Sequence, residues 1–146
     1  MPDRYYTLNL LDRARLPLAL PLVRLIRPDL AMEDWRAFAL PLVSEDDHDP
    51  PQRGIVVAER NGYMRGLFAY RAVPDLGNQP VLLVQNVAMF EIADSAALAR
   101  VLRDEIASLS HKLRCARTQV LLDATDSWTR QQIADPARGI EVLCNA

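Results

Sequence analysis

Residues 55–73, IVVAERNGYMRGLFAYRAV, decide the fold, because two runs rich in β-branched and aromatic residues meet at the pair Asn61-Gly62. A two-residue type I′ turn needs positive φ at both of its central positions, and Asn followed by Gly supplies them at least steric cost. The stretch is therefore expected to be an antiparallel hairpin. Beyond a loop containing Pro74, Gly77 and Pro80, residues 81–90 read VLLVQNVAMF, a nearly unbroken apolar run of the kind buried on both faces at the centre of a sheet. From Ser95 to Arg114, Leu98, Leu102, Ile106, Leu109 and Leu113 recur at helical spacing, with Arg100, Arg103, Asp104, His111 and Lys112 elsewhere on the surface. Asp94 or Ser95 can cap this helix. TQVLLD, Thr118 to Asp123, is the next buried strand, and the strand-helix-strand unit is expected to be a right-handed parallel crossover.

Further outward the pattern is more broken. Tyr5 to Leu11 alternates well enough for a first strand. Ala14 to Val43 is helical but cut by Pro17, Pro21, Pro28 and Pro41, with a second helix restarting at Asp29–Glu33 and carrying Trp35, Phe38 and Leu42 on one side. Ser44 to Gly54, SEDDHDPPQRG, reads as an exposed acidic loop. Asp126 or Ser127 starts a short helix ending near Pro136, and Ile140 to Cys144 forms a last strand. The expected architecture is a single α/β (α+β) domain spanning residues 1–146, with a mixed, mostly antiparallel sheet flanked by helices.

Composition narrows the function classes. Of 146 residues, 17 are basic and 19 acidic, for a net charge of -2, so no bulk field draws nucleic acid or anionic lipid. Lys112 is the only lysine. The apolar run Leu16–Val23 is broken by two prolines and is too short to span a bilayer; a cytoplasmic protein with neither membrane nor nucleic-acid partners is expected. Cys115 and Cys144 make no disulfide framework and are expected to be reduced and mostly buried. His48 stands among Glu45, Asp46, Asp47 and Asp49, but with no spaced second histidine the run reads as solvated, and no metal site is expected. Tyr63, Arg65 and Tyr70 on the hairpin read as surface and cross-strand packing. Asp123 and Asp126 bracket the end of a central strand, where ligands of open α/β sheets bind.

The order hairpin, central strand, long helix, strand, short helix, strand resembles the GCN5-related N-acetyltransferase family from about Tyr5 to the end of the chain. In that family the central strand ends in a pattern like V-x-P and pairs with the pantetheine arm of acetyl-coenzyme A. A loop Q/R-x-x-G-x-G/A then offers backbone N–H groups and a helix N-terminus to the pyrophosphate. Val87-Ala88-Met89 stands at the strand end and Ile92-Ala93-Asp94-Ser95-Ala96-Ala97 at the loop. The resemblance thus implies an acetyl-CoA or other acyl-CoA site at Val87, Met89, Asp94, Ser95, Ala96 and Ala97. Only Ala97 fits the loop pattern. Ile92 replaces the basic or amide residue, Ser95 the first glycine, and Asp94 adds a negative charge.

A tyrosine that serves the family as general acid aligns with Asp135, which at an ordinary pKa is deprotonated and a poor donor. The central strand has only Gln85 and Asn86 as polar residues; both are candidate substrate contacts or partners within a strand splay, and neither takes up a proton. No catalytic residue is assigned. Two readings stay open: an acyl-CoA-dependent N-acyltransferase acting by direct transfer to a small-molecule or peptide amine, and a non-catalytic binding or assembly domain of the same fold. The leucine-rich N-terminal helices allow a homodimer under either.

Overall fold

The computed structural model describes residues 6–43, 48–123 and 126–145. Asn61 and Gly62 have φ of 54° and 81°, so the hairpin between β2 (Arg53–Arg60) and β3 (Tyr63–Val73) closes through the expected turn. These two strands, β1 (Thr7–Leu10), β4 (Val81–Met89), β5 (Arg117–Asp123) and β6 (Ile140–Asn145) form one six-stranded sheet in the order β1-β2-β3-β4-β5-β6. The first three pairings are antiparallel, and β4–β5 and β5–β6 are parallel.

Period-two alternation divides the core between the faces of the sheet. On one face Val56, Phe68, Leu82, Val84 and Val120 pack against Leu98, Leu102, Ile106 and Leu109 of α3 (Ser95–Lys112). Each such side chain contributes about 1.5–3 kcal/mol on burial. Gly66 lets α3 come close: a Cβ there would stand 3.2 Å from both Leu98 and Leu102. On the other face Ile55, Val57, Leu67 and Ala69 meet α1 (Leu20–Val23), the 3-10 turn Leu16–Ala19 before it, and α2 (Met32–Val43). Trp35 anchors this side, buried, with its indole N–H donating to the Leu16 carbonyl at 2.8 Å.

Helix ends follow local chemistry. Asp94 caps α3 by accepting the Ala97 N–H at 3.1 Å. At the other end Arg114 takes φ 57°, the Arg114 N–H donates to His111 and the Cys115 N–H to Ser110, which satisfies the last carbonyls as a Schellman turn does. Asp126 caps α4 (Ser127–Ile133) through the Thr129 N–H.

Three sequence expectations need correction. Pro41 does not end a helix but lies inside α2; the bond it forgoes is to the carbonyl of Ala37, an exposed residue. Tyr70 is a core residue, 1% exposed, and its hydroxyl donates to the Pro51 carbonyl at 2.9 Å. Cys144 is exposed rather than buried, because it lies near the end of edge strand β6, whereas Cys115 is half-buried and its thiol is pushed up by that burial.

Candidate functional site

The central strand is not regular along its whole length. Ala69 faces Gln85 and Leu67 faces Ala88, so β4 has one residue more than β3 between these pairs. The extra residue is accommodated at Asn86, whose φ of 58° is left-handed, the conformation an asparagine tolerates better than most non-glycine residues. A bulge of this kind bends the strand and increases its twist. The consequence lies on the opposite edge: β4 pairs with β5 only from Val81–Arg117 to Val84–Val120. Beyond that point Gln85–Met89 and Leu121–Asp123 diverge, while β5 stays joined to β6 through Asp123 and Asn145.

A cleft of about 360 Å³ opens into this divergence. It is lined by Gln85, Asn86 and Val87 of β4, Leu121, Leu122 and Asp123 of β5, and Asp126. Its other wall comes from α1, α2 and the turn between them: Val23, Ile26, Arg27, Leu30, Trp35 and Phe38. The pocket is thus apolar and aromatic on one side, with two amides, two carboxylates and one guanidinium placed around it, the composition expected of a small-molecule site.

The loop after β4 is organised differently. Glu91, whose side chain is 7% exposed, accepts the Tyr6 hydroxyl at 2.8 Å and Arg60 Nη1 at 3.2 Å. Its other oxygen accepts the Ala93 N–H at 3.4 Å. Bonding to Tyr6 holds the Glu91 carboxyl below its usual range, helped by the Ala93 amide and Arg60. Burial and the Glu91 carboxylate push Tyr6 up to about 12. A tyrosine with a raised folded-state pKa gives stability that is complete below the unfolded value of about 10. That stability is lost as pH rises through the folded value. Tyr6→Phe is therefore expected to cost about 1–2 kcal/mol at neutral pH and to flatten the decline in stability between pH 10 and 12. Urea melts across that range check both; an unchanged alkaline slope would contradict the assignment.

The structure brings together some predicted residues and separates others. Gln85, Asn86 and Val87 line the cleft, and so do Asp123 and Asp126. Met89 packs against the α3-side core. Asp94, Ser95, Ala96 and Ala97 form the cap and first turn of α3, and no positive φ occurs among residues 91–97, so this loop has a shape that needs no glycine. Asp135 is no proton donor: Arg138 Nε bonds it at 2.6 Å and holds its carboxyl low. Arg138 also bonds Asp104 on α3 at 2.8 Å. Among the described residues no His, Cys, Asp and Glu side chains group to hold a metal ion; His48 is exposed, and Glu45, Asp46 and Asp47 lie outside the described residues. No helix among the described residues is long and apolar enough to cross a membrane.

No protein-family model matches the chain, and no curated protein matches it. Solved structures do. The chain aligns with the aminoglycoside N-acetyltransferase AAC(6')-Iy bound to a bisubstrate analogue, CoA-S-monomethyl-acetylneamine, at a TM-score of 0.73 and 13% identity over 93% of this chain and 90% of that one. It aligns with ribosomal-protein-alanine N-acetyltransferase from Brucella melitensis biovar Abortus at 0.70 and 14% identity over 89% and 92%. A soil-metagenome aminoglycoside acetyltransferase in complex with sisomicin follows at 0.69 and 11% identity over 93% and 91%. The fold is that of the GCN5-related N-acetyltransferases.

The acetyltransferase fold implies coenzyme A, and the two parts of the site answer differently to that group. The diverging strands leave Gln85–Met89 without ladder partners on the β5 side, which fits an extended amide-bearing arm. The N-terminus of α3 does not fit the diphosphate. A free helix N-terminus favours an anion by about 0.3–1 kcal/mol, but here Asp94 takes the Ala97 N–H and Glu91 the Ala93 N–H. A like charge held at about 4 Å costs about 1 kcal/mol even at the dielectric of water, so the Asp94 carboxylate offsets the dipole, while Glu91, its charge balanced by Arg60, takes up one of the loop's donors. Sequence reading singled out Asp94 but missed Glu91, whose partner Tyr6 lies 85 positions away, a pairing no local pattern announces. Trp35 and Phe38 were legible as one side of a helix, but not as a cleft wall.

Proposed function

We propose that this chain transfers an acyl group from a thioester to a small amine seated in the cleft. The observation that carries the reading is the open divergence of β4 and β5 beyond Val84 and Val120, with the cleft at its mouth. In such a reaction the amine lone pair attacks the thioester carbonyl, a C–N bond forms, the C–S bond breaks, the thiol departs and the amine gives up a proton. Asp123 and Asp126 offer charge to an ammonium group, opposed by one guanidinium, Arg27. Gln85 and Asn86 offer hydrogen bonds to an acceptor or its carbonyl partner. Trp35 and Phe38 stack 6.0 Å apart and give the acceptor's carbon skeleton a flat wall. Small-molecule amines suit a cleft of about 360 Å³ better than a peptide chain does. Two of the solved neighbours carry aminoglycoside-type amines in their complexes, which supports an amine acceptor without fixing which. A homodimer is part of the same proposal, supported by exposed Leu18 and Leu25 in the N-terminal helical segment.

The test is to incubate the chain with acetyl-CoA or S-acetylpantetheine and a panel of small di- and polyamines, and to follow N-acetylated product by mass spectrometry. Turnover with at least one amine is expected. Asp123→Asn is expected to lower kcat/KM for a dicationic acceptor about twofold to fivefold, as loss of one ion-pair contact at an exposed position does. Neither thioester supporting product above the uncatalysed rate, with any amine, would sink the proposal. A second reading, a binding domain that kept the fold without the chemistry, is favoured by the internal carboxylates at the α3 N-terminus. It predicts amine binding in the cleft with no product.

A further inference from the structure

We propose that Glu91 and Asp94 act as built-in anions that replace a ligand diphosphate, so that this site recognises its thioester through the acyl-pantetheine end alone and gains nothing from the nucleotide end of coenzyme A. The inference rests on the acyl-transfer reading above and specifies which donor that site accepts.

Four observations carry it. Two of the backbone N–H groups that a phosphate oxygen could use already have acceptors: Ala97 donates to Asp94 Oδ1 at 3.1 Å and Ala93 to Glu91 Oε1 at 3.4 Å. Glu91 is not a stray surface acid. It is 7% exposed and held by three donors from three parts of the chain, Tyr6 before β1, Arg60 at the end of β2 and Ala93 in its own loop. Displacing it would break an ion pair and two hydrogen bonds at once, so it is a fixed part of the loop rather than a gate. The loop backbone has also settled without the left-handed residues that let chain wrap closely round an anion, since no φ between residues 91 and 97 is positive. Ile92 beside it is almost fully exposed, and an apolar residue there offers a phosphate neither charge nor a hydrogen bond.

The complementary half of the inference concerns what stays available. Beyond Val84 the β5-side edge of β4 has no ladder partner, and Val87, Gln85 and Asn86 border the cleft. An amide-bearing pantetheine arm finds backbone groups to pair with there whether or not a nucleotide follows it. Donors bearing that arm without a diphosphate, such as a short pantetheine thioester, are therefore the chemical class this geometry selects.

The experiment titrates acetyl-CoA and S-acetylpantetheine into the parent and into the double variant Glu91→Gln/Asp94→Asn, by calorimetry or ligand-observed NMR. Both substitutions keep the shape and remove the charges; Asp94→Asn keeps an oxygen for the Ala97 N–H, and Glu91→Gln keeps one oxygen for Tyr6 and Arg60 while giving up the Ala93 bond. In the parent the two thioesters are expected to bind within threefold of each other. In the double variant acetyl-CoA is expected to bind about tenfold tighter and S-acetylpantetheine unchanged. A parent that prefers acetyl-CoA by thirtyfold or more would overturn the inference. If the parent binds neither thioester, the acyl-transfer reading fails but the loop is still decided: gain of acetyl-CoA binding in the variant supports internal anions, and no gain contradicts them. A circular dichroism melt of the variant shows whether the loop change is tolerated, and single Asp94→Asn, at an exposed position, gives a second route if it is not.

Discussion

Ile106→Asp is expected to leave no cooperatively folded protein. Ile106 is fully buried between α3 and the sheet, in one cluster with Val84, Leu98, Leu102 and Val120. An aspartate there loses the packing of a core isoleucine, about 2–5 kcal/mol, and places a carboxyl among aliphatic side chains, which adds several kcal/mol whether it stays charged or takes up a proton. The sum rivals the whole stability of a domain this size, about 5–15 kcal/mol. Arg100→Asp, one turn from Asp104 on the same helix but exposed, is expected to change stability by less than about 0.5 kcal/mol. Soluble yield and urea melts of the pair check this. A cooperatively melting Ile106→Asp would show that α3 faces the sheet with a different stripe.

Trp35→Ala is the second large effect, and it couples the fold to the site. The indole is 1% exposed and donates to the Leu16 carbonyl, so truncation leaves a large cavity and a buried carbonyl without its donor. About 3–5 kcal/mol is expected for the cavity, with about 1–3 more for the unsatisfied group. In a chain of 146 residues that lowers the melting temperature by roughly 10–20 °C. Because Trp35 also walls the cleft, any amine that binds there is expected to lose most of its affinity. Phe38→Ala separates the two roles. Phe38 is part-exposed and lines the same cleft, so its loss is expected to weaken amine binding while costing no more than about 1 kcal/mol of stability. Equal destabilisation by both variants would contradict this division.

What the chain reveals of itself depends on the range of the interaction involved. The Asn61-Gly62 turn, the α3 stripe from Leu98 to Leu109 and the Asp94 and Asp126 caps are local, and each is written in a few neighbouring residues. The placement of β4 between β3 and β5 follows from its largely apolar sequence and from the crossover through α3. Other features are set by contacts distant in sequence. Nothing near Gln85 and Asn86 says that β4 bulges there, because the bulge is defined against Leu67 and Ala69 of β3. Nothing near Glu91 says that it is buried, because Tyr6 and Arg60 bury it. The same limit explains Pro41: its tolerance within α2 depends on which side of the helix Ala37 turns to water. The candidate site is therefore half legible, with its amides and acids marked as exceptions to an apolar pattern, and its aromatic wall and locked loop visible only in three dimensions.

The most direct measurement is of the backbone amides of the 15N-labelled chain during titration with S-acetylpantetheine. A donor arm lying along the free edge of β4 is expected to shift the amides of Gln85 to Met89 and of Leu121 and Leu122, while those of Ser95 to Ala97 at the start of α3, the last of them already bonded to Asp94, stay in place. Saturating thioester that moves none of the β4 amides, or that moves the α3 cap first, would contradict the account.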